Sequence, residues 1–249
     1  MDFNLKRILH EMDWMARSVT ITLLLMGIVS MAVFIERLIA YYRSRRQSRR
    51  FADVAAKMVA EGNFRKLLDR ASEFPVSHLA RMLGPSLKTY LAASGDARQK
   101  AEAVVELLRR EIARQHEDAG LDLRKGLSVL ASVGSVAPFV GLLGTVVGII
   151  SAFTKISVTG SAGLSSVAGG ISEALVVTAF GLAIAIPATL LFNTLSTRAD
   201  RIHHGLGSAA GQFVDHIEFR HGLVTATVSE PKHERRAIHA EATADVPSA

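Results

Sequence analysis

The sequence predicts an all-α integral membrane protein with three transmembrane helices and long helical extensions outside the membrane. Hydrophobic residues make up 49% of the 249-residue chain and the mean hydropathy is +0.27, values typical of membrane proteins. Three stretches are apolar over the roughly 20 residues that a helix needs to cross a bilayer. The chain has no cysteine, which excludes disulfides, and its histidines lack ligand-like spacing with carboxylates. We therefore expect no metal and no other cofactor.

The first predicted span covers residues 18–42 and follows an outer segment, residues 1–17. That segment has apolar residues at helical spacing, and two interpretations stay open: a short interfacial helix, or a helical lead-in to the span. The span is an anchor rather than a signal peptide, because it is too long for an h-region and lacks a small-x-small cleavage site. Five arginines follow it without an interspersed acid: Arg43, Arg45, Arg46, Arg49 and Arg50.

These arginines predict the orientation of the chain. Arginine beside a membrane end resists translocation, so the N-terminus is expected in the periplasm and the segment after the first span in the cytoplasm. Three crossings then return the C-terminus to the cytoplasm. The cluster also accounts for much of the formal net charge of +6, so the expected contact is with membrane lipids and not with nucleic acid.

Residues 43–127 are predicted to form a cytoplasmic helical domain, because alanine, leucine, arginine and glutamate dominate there. Its breaks are expected at 61–63, 73–75 and 94–96, where glycine or proline occurs. Asp96 and Gln99 resemble a capping box at the start of a long amphipathic helix. The pattern also allows this helix to continue without interruption into the second span.

The second and third spans are predicted at residues 128–154 and 169–196. A periplasmic loop, 155–168, joins them and contains one cation, Lys155. A cytoplasmic helix follows at 197–222. The final stretch, 223–249, has few large apolar residues and is predicted to be disordered.

Small residues recur on one face of each of these two spans. Such faces let helices approach closely in lipid, where packing drives association. Two threonines lie within them, and at 1.5 Å rise per residue their hydroxyls are predicted roughly 6 Å and 7 to 8 Å outside the bilayer centre, at one level. The residues are Gly134, Pro138, Gly141, Thr145, Gly148 and Ala152 in the second span, and Ala174, Thr178, Gly181, Ala185 and Ala188 in the third.

Glu173 is predicted roughly 15 Å from the bilayer centre, at the edge of the hydrocarbon. A glutamate there favours a position at the outer mouth of a polar path, because its short side chain snorkels poorly. The alternative is a headgroup-level residue with no transport role. For the two threonines, the alternative is a hydrogen bond to the carbonyl one turn back in their own helix.

No ionisable residue lies between Ala131 and Thr154 or between Ala174 and Asn193. A hydroxyl cannot change its charge state near neutral pH, so it cannot store a proton. Proton relays in membranes usually contain a group that can. If this chain moves protons, the titrating carboxylate is expected to come from another polypeptide.

Two segments, APFVGLLGTVVGIISAF at 137–153 and VAGGISEALVVTAFGLAIAIPATLLFN at 167–193, resemble the paired signatures of the MotA/TolQ/ExbB proton-channel family. Three spans with a large insert after the first resemble its ExbB/TolQ branch. The sequence departs from the family pattern at Gly169, where proline is common, and at Val147, where tryptophan is frequent.

The resemblance implies a non-enzymatic subunit of the bacterial inner membrane, a homopentamer around two copies of an ExbD/TolR-like single-span protein whose membrane aspartate carries the proton. It implies a stator of a motor driven by the proton-motive force, acting on a TonB/TolA-like or gliding-machinery protein. The implied pathway residues are Thr145, Thr178 and Glu173. Helix-shaping roles are expected for Pro138, Pro187, Gly141, Gly144, Gly148 and Gly181.

Two alternatives remain at this stage. A non-conducting scaffold that recruits partners through its cytoplasmic helices would tolerate apolar residues at the pathway positions. An intramembrane enzyme is disfavoured, because HExxH, GxSxG and paired mid-span aspartates are absent from the sequence. The driven process stays open among uptake, envelope maintenance and gliding. The choice between protons and sodium as the coupling ion also stays open.

Overall fold

A computed structural model describes residues 14–95, 100–159 and 164–223. These residues form helices and their connections, and no strand occurs among them. Most of the predicted N-terminal segment, the Asp96–Gln99 capping box and almost all of the predicted tail lie outside the described residues. The helices are α1 (Trp14–Glu61), α2 (Phe64–Ala71), α3 (His78–Ser94), α4 (Ala101–Arg124), α5 (Leu127–Thr159) and α6 (Leu164–Arg220).

Three of these helices are long and apolar enough to cross a membrane. The candidate spans lie in α1, in the Leu127–Thr154 part of α5 and in the Ala168–Arg220 part of α6, which confirms the predicted three-span, all-α fold. Many large apolar side chains of these helices point outward, and Phe139 is 70% exposed. Such a surface is stable only against lipid or another protein chain.

The predicted breaks after α1, α2 and α3 are present, and each has a local cause. Gly62 adopts a φ of +71°, which ends α1. Asn63 then caps α2 by accepting a hydrogen bond from the Lys66 backbone N–H. Ser77 caps α3 in the same way, through the Ala80 N–H at 3.1 Å.

The helix α4 does not run on into the second span. It ends at Arg124, and Gly126 has a φ of +77°, a left-handed conformation that a helix interior does not contain. The uninterrupted stalk allowed by the sequence pattern is therefore wrong. The break redirects the chain, so that α4 lies outside the membrane region while α5 packs in it.

The predicted loop 155–168 is shorter than expected. The helix α5 continues to Thr159 and α6 begins at Leu164, because a helix satisfies its own backbone groups and does not have to stop at the hydrocarbon edge. At its other end α6 continues without a break to Arg220, just before Gly222 at φ +68°.

The buried residues form two clusters. The smaller joins α1, α5 and α6 in the apolar region and is built around Leu23, Val133, Ala137, Val177, Ala185 and Ala188. The larger lies in the part we call the extramembrane domain, formed by α2, α3, α4 and the distal parts of α1 and α6. Its fully buried side chains include Phe51, Leu67, Leu87, Leu108 and Ile217.

Candidate functional site

The spans α5 and α6 pack as an antiparallel hairpin along a contact line that we call the glycine seam. A Cβ added at Gly141 would lie 3.2 Å from the Thr178 Cα and 3.3 Å from the Gly181 Cα. A Cβ at Gly181 would lie 2.8 Å from the Ala137 carbonyl oxygen. Backbone therefore meets backbone here, and only glycine permits that approach.

The seam continues towards the C-terminal end of α5 through two further glycines. A Cβ at Gly148 would lie 2.8 Å from the Ala174 Cβ. At Gly144, a Cβ would lie 3.2 Å from both the Val177 Cβ and a methyl carbon of Val19 on α1. All four glycines predicted to shape the helices thus lie where helices approach closely.

Thr178 joins the two helices of the seam by a hydrogen bond. Its hydroxyl donates to the Gly141 carbonyl oxygen at 2.8 Å, and the side chain is partly buried. The interaction crosses from α6 to α5 and replaces the same-helix bond that a membrane threonine commonly makes. Thr178 therefore faces α5, in agreement with its position on a small-residue face.

Thr145 makes the local bond that the sequence left as the alternative. Its hydroxyl donates to the Leu142 carbonyl oxygen in the same helix at 2.7 Å. Gly144 contacts Val177 and Gly148 contacts Ala174, so Thr145 and Thr178, each next in sequence to a member of the Gly144–Val177 contact, lie within about one residue, or about 1.5 Å, of the same level. This register agrees with the level predicted from residue spacing.

Both threonine hydroxyls use their hydrogen in a hydrogen bond to a backbone carbonyl. A hydroxyl has one hydrogen to donate and two acceptor lone pairs, so each oxygen keeps capacity to accept. In this state the pair can accept from water or from a protonated acid, and can ligate a small cation. Donation to a carboxylate requires the hydroxyl to leave its carbonyl first.

Glu173 lies on α6 five residues before Thr178, which places it about 7.5 Å closer to the N-terminal end of that helix. Its side chain is partly buried. The next residue, Ala174, is buried and is the residue that meets Gly148 in the seam. Glu173 thus lies beside the part of the glycine seam that contains Gly148, and the stretch between it and Asn193 has no other ionisable residue.

The prolines lie inside continuous helices, Pro138 in α5 and Pro187 in α6. Each removes one backbone hydrogen bond from its helix. Pro138 directly follows Ala137, which is fully buried in the seam. Both prolines lie in the half of the hairpin that is remote from Glu173.

Thr189 belongs to the same seam, although the sequence did not identify it as a site. A Cβ at Gly134 would lie 3.3 Å from the Thr189 backbone nitrogen, so the two helices remain close there. The Thr189 hydroxyl donates to the Ala185 carbonyl oxygen at 3.0 Å. It provides a comparison for Thr178, since it is a seam threonine whose bond stays within α6.

A polar cluster beside the middle of α1 was also missed, because its members are far apart in the sequence. The hydroxyl of Ser44 contacts Nδ1 of the buried His78, and His78 Nε2 lies 3.5 Å from Asp122 Oδ2. Arg81 donates to the same carboxylate oxygen at 2.8 Å, and Arg37 donates to the Asp122 backbone carbonyl at 3.3 Å. The cluster ties α1, α3 and α4 together next to a cavity of about 250 Å³.

The two titratable groups at the centre of that cluster favour opposite charge states. Burial lowers the pKa of His78, in spite of the neighbouring Asp122 carboxylate. Burial acts to raise the pKa of Asp122, but hydrogen bonding and charge from Arg81, with smaller contributions from His78 and Arg37, lower it. Near neutral pH the cluster therefore contains a neutral imidazole and an ionised carboxylate.

Comparison with known proteins decides the family. The profile of the MotA/TolQ/ExbB proton channel family matches residues 77–206, just over half of the chain. This chain belongs to that family. The match includes all of the seam and every predicted site residue, whereas α1 lies outside it.

Individual relatives in this family include biopolymer transport proteins ExbB. The protein of Neisseria meningitidis is 34% identical over 195 residues, which cover 78% of this chain and 87% of that protein. The protein of Salmonella typhimurium is 30% identical over 203 residues, or 80% of each. That of Xanthomonas campestris pv. campestris is 47% identical over 102 residues, and this chain spans only 39% of its length. The chain is therefore a multi-pass inner-membrane protein of the proton channel family.

Proposed function

We propose that this chain is the pore-forming stator subunit of a motor driven by the proton-motive force, and that its carboxylate partner is an ExbD/TolR-like single-span protein. The observation that carries the proposal is the Thr178 hydroxyl, held in the glycine seam by Gly141, in a stretch between Ala174 and Asn193 that has no ionisable residue. Such a site interacts with a proton carrier without being one.

The hydrogen bonding of Thr178 suggests how this residue responds to the charge state of the partner's acid. With its hydrogen on the Gly141 carbonyl, the hydroxyl accepts from the protonated acid. An ionised acid has no hydrogen to give, and Thr178 interacts with it by turning its own hydrogen away from Gly141. Protonation of the partner thus changes whether Thr178 links α5 to α6, and this couples proton arrival to hairpin packing.

The path is proposed to run from Glu173 to the level that Thr145 and Thr178 share. Thr145 has the same acceptor character as Thr178, so a proton-bearing water meets both oxygens at that level. A carboxylate at the mouth attracts cations, which suits entry from the side with the higher proton activity.

The proposed orientation places the N-terminus in the periplasm and the extramembrane domain in the cytoplasm. The five arginines after the first span are exposed on α1, and the described part of the chain gives none of them an ion-pair partner. They are available to the anionic headgroups of the inner leaflet.

The proposed assembly is a homopentamer around two partner chains. Its support is the exposed apolar surface of the spans together with the family resemblance, because a single hairpin does not enclose a path. The large apolar side chains that are more than half exposed include Leu25, Ile28, Phe139, Leu142, Leu175 and Leu190. A TonB/TolA-like or gliding-machinery protein is the proposed target of the motor.

Reconstitution into liposomes tests the function. The chain alone, the partner alone and the two together are compared under an imposed pH gradient, with an internal pH dye as the readout. We expect proton flux only with both chains present. A robust flux through this chain alone would disprove the proposal that the partner supplies the titrating carboxylate. Absence of flux with a bound partner would favour the non-conducting scaffold.

A further inference from the structure

In the extramembrane domain, two histidines stack on each other between α4 and α6. The imidazole rings of His116 on α4 and His203 on α6 lie with centroids 3.9 Å apart and planes 16° from parallel. The His116 Nε2–H donates to the His203 backbone carbonyl oxygen at 3.0 Å. The residues are 87 positions apart, so the stack holds together distant parts of the chain.

Two glycines make room for the rings. A Cβ at Gly120 would lie 2.9 Å from His203 Cε1, and a Cβ at Gly207 would lie 3.1 Å from His116 Nε2. Each ring thus lies against bare backbone of the opposite helix. Each imidazole ring fills the space that a side chain at the facing glycine would otherwise occupy.

Ion pairs flank the stack along the same two helices. Arg124 donates to Asp200 at 2.9 Å on one side, and Arg109 Nε donates to the buried Glu218 at 2.7 Å on the other. The stack differs from these ion pairs in residue type, because histidine is the side chain whose charge ordinarily changes between about pH 5 and pH 8.

The surroundings of His203 oppose its protonation. Its Nδ1 is buried and has no hydrogen-bond partner in the described part of the chain. Burial lowers the pKa of His203, and the positive charges of His116, His204 and Arg124 lower it further, while Asp200 alone acts to raise it. The groups that face it from both packed helices are therefore mainly cationic or able to become so.

We propose that the His116–His203 stack is a pH-sensitive contact, which holds α4 against α6 when both rings are neutral and releases them when the surrounding solution becomes mildly acidic. Two protonated rings at this separation repel each other, and a buried Nδ1–H has no acceptor. With the proposed orientation, the stack senses the cytoplasm, into which the motor discharges its protons. The α4 helix is followed directly by α5, so release of α4 from α6 is transmitted to α5 and its packing in the glycine seam.

The direction of the pH dependence follows from the lowered pKa. The packed state binds fewer protons than the separated state, in which His203 returns to an ordinary value of about 6.5. The contact is therefore complete above that value and weakens as the pH falls through it towards the lower value of the packed ring. Each additional proton bound by the separated state increases its population by up to about tenfold per pH unit.

The test uses the full-length protein in lipid nanodiscs. The natural chain has no cysteine, so Ala113→Cys on α4 and Ser208→Cys on α6 place single labels on exposed residues that flank the stack. Pulsed electron paramagnetic resonance then gives the distance between the two spin labels from about pH 8 to about pH 5.5, a range that brackets the ordinary histidine value. We expect a narrow distribution at the upper end and a growing, longer component below about pH 6.5.

Two variants separate the stack from other titrating groups. His116→Phe with His203→Phe keeps two stacked rings without a titrating nitrogen, and its distance distribution should not change with pH. His204→Gln removes the neighbouring exposed histidine but keeps the stack, so the response should remain. If the double variant does not fold, His203→Gln alone should reduce the response at least severalfold.

The proposal is overturned if the distance in the natural sequence is constant across the range, or if the response survives in the phenylalanine pair. The measurement needs neither the partner chain nor a proton gradient. Its result is therefore independent of whether the proposed stator function is correct.

Discussion

The hydroxyl of Thr178 on α6 donates to the Gly141 carbonyl on α5 over 2.8 Å, where the backbones of the two helices approach closely. The same glycine that permits the backbone approach thus provides the acceptor that fixes the hydroxyl. The threonine oxygen keeps its lone pairs, so it can still accept a hydrogen bond within this apolar stretch. This relationship predicts how a substitution at position 178 separates function from folding.

Replacement of Thr178 by valine should abolish proton flux and energy coupling while the protein still folds and assembles. Valine matches the shape of threonine but provides no acceptor, and Gly141 keeps its bond within its own helix. A loss of about tenfold or more is expected, because a hydrogen bond of about 1.4 kcal/mol at a rate-limiting step changes the rate by that factor. Flux into partner-containing liposomes measures it.

The matched controls for this substitution are Thr178→Ser, which restores the hydroxyl, and Thr189→Val. Thr189 lies in the same seam, but its hydroxyl bonds to Ala185 within α6. Thr178→Ser should recover most of the flux, and Thr189→Val should retain it. Full activity in Thr178→Val would remove the pathway role assigned to this residue.

Replacement of Gly181 by alanine should destabilise the hairpin. The new Cβ would lie 2.8 Å from the Ala137 carbonyl oxygen, so the helices must separate. Overpacking of this kind typically costs about 1 to 3 kcal/mol. Unfolding of the purified protein in detergent, followed by circular dichroism, measures the change.

Gly205→Ala is the control for the seam substitution, since it lies in the same helix but has nothing within 4 Å of its Cβ position. There alanine should be neutral or should stabilise α6 by about 0.5 to 1 kcal/mol, because it lowers the entropy of the unfolded chain. Equal effects of the two substitutions would argue against close packing at Gly181.

Replacement of Glu173 by glutamine should lower the rate of proton entry severalfold without affecting folding. The change removes one charge and preserves the shape of the side chain. Attraction of cations by a charge near the membrane surface is screened by salt over a Debye length of about 10 Å at 0.1 M. The difference between the natural chain and the variant should therefore be greatest at low ionic strength. A difference that does not depend on salt would indicate a packing role instead.

Much of the fold could be predicted from local patterns. The three spans follow from apolar length, and the breaks near Gly62, Pro75 and Gly95 follow from residues that end helices by their own backbone preferences. The break at Gly126 was a weaker signal, because a single glycine within an apolar pattern is often tolerated in a helix. Gly126 has its φ of +77° because the chain turns there between α4, outside the membrane region, and α5.

The site was predictable by residue type but not by hydrogen bonding. Residue spacing placed Thr145 and Thr178 on small-residue faces, and centring each span in the bilayer placed them at one level. Spacing could not show that the Thr178 hydroxyl bonds to the Gly141 carbonyl, because that contact involves both helices at once. The His116–His203 stack could not be predicted for a related reason, since no local pattern joins two residues so distant in the chain.

Replacement of Asp122 by asparagine should weaken the attachment of α3 to α4. The change removes the charge partner of Arg81, at 2.8 Å, and replaces the carboxylate oxygen that lies 3.5 Å from Nε2 of His78. Because the carboxylate is partly exposed and screened by solvent, the expected loss at neutral pH is at most about 1 kcal/mol.

The pH dependence of this loss distinguishes charge from shape. The net effect of its surroundings, in which Arg81 outweighs burial, lowers the pKa of Asp122 below its unfolded value of about 3.9. The stabilisation is therefore present above that value and disappears as the pH falls through the lower folded value. Unfolding curves of the natural chain and of Asp122→Asn should converge in acid. If the two free energies of unfolding keep a constant difference across that range, Asp122 acts through packing and not through its charge.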